Sequence, residues 1–354
     1  MINLTVAIFA AAAFVASAFL VKVIISLCAK YKLYDEVNQR SVHTQPVARL
    51  GGIGIFIVYG VCCLIYQFYV GFEDLSHLPL YIGGALIWIE GVLDDLKNLR
   101  ARFKFLFQLI VIALACAFSP YYIHDFLIWP LPAVLGKFIT FCWIILLVNA
   151  FNLIDGIDLL CSTLVVVSIA TVTVLFSLGG SLFVPGIILC CCIFGFMIFN
   201  KPKAKIFLGD SGSQTLGYCV AVMPLVGNLS KYDSNQALIM LILASVPVED
   251  VIAAIWRRLR DKRSVFSADR AHIHHKLINV GLSKVQAWLY LSLLHLVNCV
   301  IIFIAFFMRK YSSMAVLFMA VIITQLFFIA IHYINRAVNR RFQGQLAENP
   351  QEEH

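Results

Sequence analysis

About eleven apolar stretches follow one another along this 354-residue chain, at 4–28, 51–70, 79–93, 105–120, 133–151, 159–178, 183–199, 213–229, 236–256, 287–308 and 314–335. A helix needs roughly 20 apolar residues to cross a bilayer, and most of these runs approach that length. The run at 79–93 is short and must tilt or extend to span. Hydrophobic residues make up 61% of the chain and charged ones 13%, the latter about half the share in soluble domains. That much apolar surface cannot be hidden in a water-soluble core, so lipid is the main solvent. The expectation is an all-α, polytopic transmembrane bundle of 10–11 helices. Residues 1–335 form a single transmembrane catalytic domain, and the polar cytoplasmic tail 336–354 is expected to be partly disordered. The first apolar run has no basic residue before it and is long enough to span, which argues against a cleavable signal peptide.

The net charge of +8 has a location. Basic residues cluster after the first, third, seventh, ninth and last runs, for example Lys30, Lys97, Lys201, Arg257 and Arg336, and they are sparse in most alternate loops. The positive-inside rule then places the N-terminus outside, and the basic loops and C-terminus in the cytoplasm. Arg309–Lys310 is the exception. No nucleic-acid motif accompanies the charge, so no nucleic-acid partner is expected. The eleven cysteines lie largely inside apolar runs, as at Cys190–Cys192, without zinc-like CxxC pairs. They read as small apolar residues between helices, not as a disulfide framework or metal site.

Against this apolar background a few polar clusters stand out. Asp94 and Asp95 adjoin each other at the end of the third run. Adjacent carboxylates at a bilayer edge repel and cost desolvation energy. A metal ion, Lys97 or Arg100 could neutralise them, or they could form a solvated loop pair. Asn152, Asp155 and Asp158 recur every three residues at the end of the fifth run, so they share a face if helical. Gly156 permits a break there. Such residues either bind something or cap two helices. Asn200 precedes the run Lys205 to Ser213, whose Gly209-Asp210-Ser211-Gly212 turn opens the eighth span. A Gly/Ser-rich helix start offers N–H groups to an anion. Asp210 could hold a hard cation there, or serve as an N-cap.

A fourth cluster lies in the largest loop: Arg263, Arg270, His272, His274, His275 and Lys276. It suits phosphate or a nucleotide better than zinc, because no cysteine or acid stands at zinc spacing. Arg40, His43 and Arg49 precede a glycine turn and could contact phosphate, or simply set topology. The topology brings all five clusters to one membrane face. Carboxylates for a cation, basic groups and glycine turns together make up the parts used in phosphoryl transfer.

The strings RLGGIGIF, GVLDDLKN, NAFNLIDGIDLL, FNKPKAKIFLGDSGSQTLGY and DRAHIHHKL, in this order and spacing, resemble the polyprenyl-phosphate N-acetylhexosamine-1-phosphate transferase family over nearly the whole chain. The HIHH form, with Lys276 where a third consecutive histidine would stand, is closer to the WecA branch than to the MraY branch.

The resemblance implies transfer of an N-acetylhexosamine-1-phosphate, first choice GlcNAc-1-phosphate, from a UDP-amino sugar to undecaprenyl phosphate, with release of UMP. This would be the initiating step of a cell-envelope polysaccharide such as O-antigen, at the cytoplasmic face of the bacterial inner membrane. It implies Mg²⁺, with Mn²⁺ as an alternative, and leaves a homodimer open. By the family pattern Asp94 and Asp95 lie at the lipid phosphate and reacting centre, and one of them is a candidate base. Asn152 and Asp155 line the nucleotide pocket, Asp158 is an essential acid, and Asp210 is a magnesium ligand. His272, His274 and His275 match the histidine motif, and Arg263 is a diphosphate contact. His43 and Asn200 complete the substrate-binding candidates. The competing class is a polytopic transporter, which would call for charged residues in mid-span and paired broken helices.

Overall fold

The computed structural model describes residues 4–34, 47–71, 75–127, 129–226, 235–264 and 271–348. Thirteen helices and one short hairpin account for the regular structure among them. In order these are α1 (Leu4–Tyr31), α2 (Gly51–Val70), α3 (Leu78–Lys97), α4 (Ala101–Phe118), β1 (Asp125–Phe126), β2 (Trp129–Pro130) and α5 (Ala133–Ile154). They continue as α6 (Leu160–Leu178), α7 (Val184–Asn200), α8 (Asp210–Val226), α9 (Gln236–Leu243), α10 (Ser245–Arg260), α11 (Ile273–Asn279), α12 (Lys284–Phe306) and α13 (Lys310–Glu348). Seven of the described helices are each long and apolar enough to cross a membrane. The protein is a polytopic helical bundle, as expected, and each expected span coincides with helix.

One expectation changes. The run 236–256 is not one straight span: α9 and α10 meet at a bend of 77°. Pro247 is the cause. It has no N–H to give to the carbonyl of Leu243 four residues back, and its ring crowds that carbonyl. The freed Leu243 carbonyl accepts instead from the Ser168 hydroxyl of α6 at 2.7 Å. Asn298 of α12 ties the start of α10 in place, donating to Ser245 Oγ at 3.0 Å and to Thr324 Oγ1 of α13 at 2.7 Å. Non-helical backbone is tolerated at membrane depth only where neighbours satisfy it in this way. This is the single broken span among the described residues, not one of a pair. In the tail 336–354 the described residues are helical. Helix α13 runs on to Glu348, because Arg, Gln, Leu and Ala dominate 336–348 and proline enters only at Pro350.

The centre of the bundle is α8, buried from Ser211 to Leu225. Its neighbours approach to backbone contact through glycine, the way helices pack where lipid gives no hydrophobic drive. A Cβ on Gly52 of α2 would lie 2.2 Å from the Gly212 nitrogen, and one on Gly91 of α3 would lie 2.5 Å from the Ser211 Cα. On the other side, a Cβ on Gly217 would meet the Leu147 carbonyl of α5 at 2.5 Å. Helix α1 packs on α7, where Ser17 donates to the Cys192 carbonyl at 2.7 Å. All eleven cysteines are free thiols, and most are buried.

The glycine contacts yield a prediction. Gly52→Ala forces a methyl into the α8 backbone, and overpacking of this kind costs about 1–3 kcal/mol. A Cβ added at Gly60, on the same helix, would meet nothing within 4 Å. In detergent-solubilised protein, Gly52→Ala should lower the thermal midpoint, while Gly60→Ala should leave it unchanged or raise it.

Candidate active site

The C-terminal end of α3, the first turn of α4 and the N-terminal end of α8 converge at one end of the bundle, and the turn after α5 joins them there. Helix α3 ends at Asn98, whose left-handed backbone (φ 49°) returns its N–H to the Asp94 carbonyl at 2.8 Å. The remaining carbonyls would be orphaned. Arg49 covers one of them: its Nε donates to the Asp95 carbonyl at 2.8 Å, while its Nη2 donates to the already bonded Asp94 carbonyl at 3.1 Å and to Asn98 Oδ1 at 2.7 Å. A guanidinium at a helix C-terminus also suits the dipole.

The two adjacent acids have different surroundings. Asp95 faces α8. Its Oδ1 accepts from the Asp210 N–H at 2.8 Å, and its Oδ2 accepts from the Ser211 N–H at 3.0 Å and the Ser211 hydroxyl at 2.6 Å. The anion expected at the Gly/Ser-rich start of α8 is therefore this carboxylate. Gly209 makes room for it: its φ is +74°, and a Cβ there would lie 2.6 Å from Asp95 Oδ2. Asp94 faces α4. Its Oδ1 accepts from the Leu99 N–H at 2.7 Å, and its Oδ2 accepts from Lys104 Nζ at 2.8 Å. Lys104 also pairs with Asp210. Lys104 and the start of α8 thus pair with these acids, in a place for which the sequence offers a metal ion, Lys97 or Arg100.

Asp210 accepts further from Gln214 Nε2 at 2.8 Å. Asn152 reaches the same region, donating to Ser213 Oγ at 3.0 Å. Asp155 ends α5 and makes no hydrogen bond or ion pair to a described residue. Burial, followed by the like charges of Asp210, Asp95 and Asp158, pushes its carboxyl up to about 8. A carboxylate so placed is short of a cation. Asp158 lies at the edge, accepting from the Ala204 N–H at 3.4 Å. Asn200 is not open to substrate, because both ends of its amide are held by backbone: Oδ1 accepts from Leu159 at 2.9 Å, and Nδ2 donates to Ile206 at 2.8 Å. It locks two loops, one of them through the left-handed Leu159 (φ 66°).

The histidine loop meets this cluster at one point. His274 is 1% exposed and lies against Gly156, where a Cβ would stand 2.2 Å from its Nε2. Only glycine leaves that space. Burial, and then His275, lower the His274 pKa to about 3, so the ring is neutral. The His272 ring lies parallel to it at 5.9 Å, and the His275 ring is 4.3 Å away on the other side. His272 Nδ1 is bonded to Asp250 Oδ2 at 2.8 Å, and Asp250 Oδ1 accepts from the Ile273 N–H at 2.8 Å. Arg263 pairs with Asp261 at 2.9 Å and makes no bond to the acid cluster. His43 lies outside the described residues.

Sequence reasoning passed over Lys104, Gln214 and Asp250. The first two carry a legible signal: polar partners four residues apart, Lys104 with Gln108 and Asp210 with Gln214, inside otherwise apolar helices. Asp250 is an acid within a run read as a span, two turns before the basic cluster.

Among the described residues, no three His, Cys, Asp or Glu side chains form a ready-made metal cage. Mg²⁺ does not need one. It takes one or two carboxylates and completes its shell with phosphate oxygens and water. Asp210, Asp94 and the unpartnered Asp155 supply hard oxygen donors of that kind.

Residues 77–228 match the family model described as glycosyl transferase family 4. The chain is similar to the probable undecaprenyl-phosphate N-acetylglucosaminyl 1-phosphate transferase of Bacillus subtilis (strain 168), with 30% identity over 319 residues, 87% of this chain and 86% of the relative. It is similar to the undecaprenyl-phosphate alpha-N-acetylglucosaminyl 1-phosphate transferase of Salmonella typhi, with 29% identity over 279 residues, 75% of this chain and 74% of the relative. The corresponding protein of Escherichia coli (strain K12) matches to the same extent, at 29% over 279 residues, 75% and 74%. These likenesses do not favour a transporter. On the strength of that coverage and of the motifs gathered at one site, the chain belongs to the polyprenyl-phosphate N-acetylhexosamine-1-phosphate transferases, and it is a membrane enzyme of the phosphotransferase class.

Proposed function

We propose that the protein transfers GlcNAc-1-phosphate from UDP-GlcNAc to undecaprenyl phosphate, releasing UMP, and so starts a cell-envelope polysaccharide such as O-antigen. The observation that carries this reading is the Asp94–Lys104–Asp210 cluster at the end of a lipid-embedded bundle, with Asp155 unpartnered beside it. The acceptor dissolves in the bilayer and the donor in cytosol, so a site at their boundary serves both. The basic loops support a cytoplasmic position for that end of the bundle, at the inner membrane of a bacterium.

An oxygen of the lipid phosphate attacks the β-phosphorus of the donor. The bond from that phosphorus to the bridging oxygen breaks, and the oxygen leaves with UMP. The lipid phosphate is already anionic near neutral pH, so a strong base is not essential. The main obstacle is repulsion between phosphates. Asp210, with Asp155 and Asp94 as further oxygen donors, would hold Mg²⁺, which when bound would supply positive charge against that repulsion. Lys104 orients these acids and adds positive charge. Asp95 holds the start of α8, and with it Asp210, in place. Asn152 and the His274–Gly156 contact shape the nucleotide side, with His272 oriented by Asp250.

Two measurements check this. Purified protein should move label from UDP-GlcNAc onto undecaprenyl phosphate only with Mg²⁺ present, and Asp210→Asn should lower turnover by about 10²–10³-fold. Absence of lipid-linked label with every UDP-amino sugar tried would sink the reading. Gly156→Ala should displace His274 and lower turnover at least as much through KM for the nucleotide sugar as through kcat. Wild-type kinetics in that variant would remove the histidine loop from the site.

A further inference from the structure

Beneath the acid–lysine cluster lies a second polar layer, one helical turn deeper in the bundle. Each helix that supplies the upper layer supplies the lower one three or four residues away. Helix α3 gives Asp94 and Glu90, α4 gives Lys104 and Gln108, α8 gives Asp210 and Gln214, and α5 gives Asn152 and Asn149. In the lower layer Gln108 Nε2 donates to Gln214 Oε1 at 2.9 Å, and Asn149 Nδ2 donates to Gln108 Oε1 at 3.2 Å. Gln214 links the layers through its bond to Asp210.

Glu90 is the one acid of the lower layer. It is 3% exposed, and neither carboxylate oxygen has a hydrogen-bond partner. A buried, unsatisfied carboxylate within a membrane helix is costly, and such a residue marks function by default. The charges it feels are Lys104, Asp210 and Asp94, with the Gln108 amide beside it. Three acids therefore surround one ammonium, and two of them hold it.

We infer that Glu90 is a positioning residue that receives the Lys104 ammonium when a divalent cation takes Asp210. In the cation-free protein Lys104 occupies the acids that the cation needs. Without another acid within reach, Lys104 would compete with the cation or be left buried and unpaired, which is strongly unfavourable. Glu90 lies one turn from Asp94 on the same face of α3 and supplies that alternative partner. The lower layer thus helps load the upper one without touching substrate. The inference rests on the cation reading of the site given above.

The test is cation binding measured directly. Mn²⁺ is titrated into purified protein without substrate, and loss of the free-ion EPR signal is followed for wild type, Glu90→Gln and Glu90→Asp. Glu90→Gln keeps the shape and removes the charge. It should weaken Mn²⁺ binding roughly tenfold or more, whereas Glu90→Asp should stay closer to wild type. The metal-free Glu90→Gln protein should be at least as thermally stable as wild type, because an unpaired buried charge is gone. Equal Mn²⁺ affinity in Glu90→Gln and wild type would overturn the inference and leave the cation reading standing. A lower metal-free thermal midpoint in Glu90→Gln would also overturn it, by making the role structural. No Mn²⁺ uptake by wild type would remove the cation reading itself, and the role of Glu90 with it.

Discussion

The site depends on one carboxylate closing one helix. The three hydrogen bonds that Asp95 accepts from Asp210 and Ser211 fix the start of α8. A helix N-terminus carries unsatisfied N–H groups and the positive end of a dipole. In a bundle this apolar, few groups other than a buried acid could satisfy both. Once α8 is anchored there, Asp210, Ser213 and Gln214 are placed against α3, α4 and α5. The close glycine contacts at Gly52 and Gly91 then become possible, because α8 has a single allowed depth.

The same anchoring explains how so many charges persist beside lipid. Each is balanced by a group on another helix. Asp94 and Asp210 share Lys104, Arg49 covers the Asp95 carbonyl at the end of α3, and Asp250 holds His272. Among the described residues of the site, the exceptions are Asp155 and Glu90, whose side chains have no such partner. Asp155 lies near Asp210 and Asp95, and Glu90 lies near Lys104. Acids without a bonded partner beside a lysine-bridged acid pair suit a site that must exchange its own cation for a metal ion and a diphosphate.

Much of the fold was legible because long apolar runs leave a membrane chain few options. The bend at Ala244 was not, although Pro247 lay in view. Whether a proline kinks or ends a span depends on who takes the freed carbonyl, and Ser168 is 75 residues away in sequence. The site was half legible. Acids at the edge of apolar runs were readable as a cluster, but Asp94 and Asp95 look alike in sequence, and only their partners on α4 and α8 separate them. Asn200 shows the converse ambiguity. A polar residue at a membrane edge suits a substrate or a loop lock equally, and its two backbone bonds decide for the lock. Lys104 was absorbed into the positive charge of its loop, whereas its spacing from Gln108 set it on the inward face.

Hydrogen–deuterium exchange across the first turn of α8, compared between Asp94→Asn and Asp95→Asn, tests this account most directly. If Asp95 anchors α8 and Asp94 faces the reacting groups, Asp95→Asn should speed exchange at Asp210 and Ser211 as turnover falls. Asp94→Asn should lose turnover with exchange there unchanged. An Asp95→Asn protein that is inactive yet exchanges like wild type would contradict the account and place Asp95 in the chemistry itself.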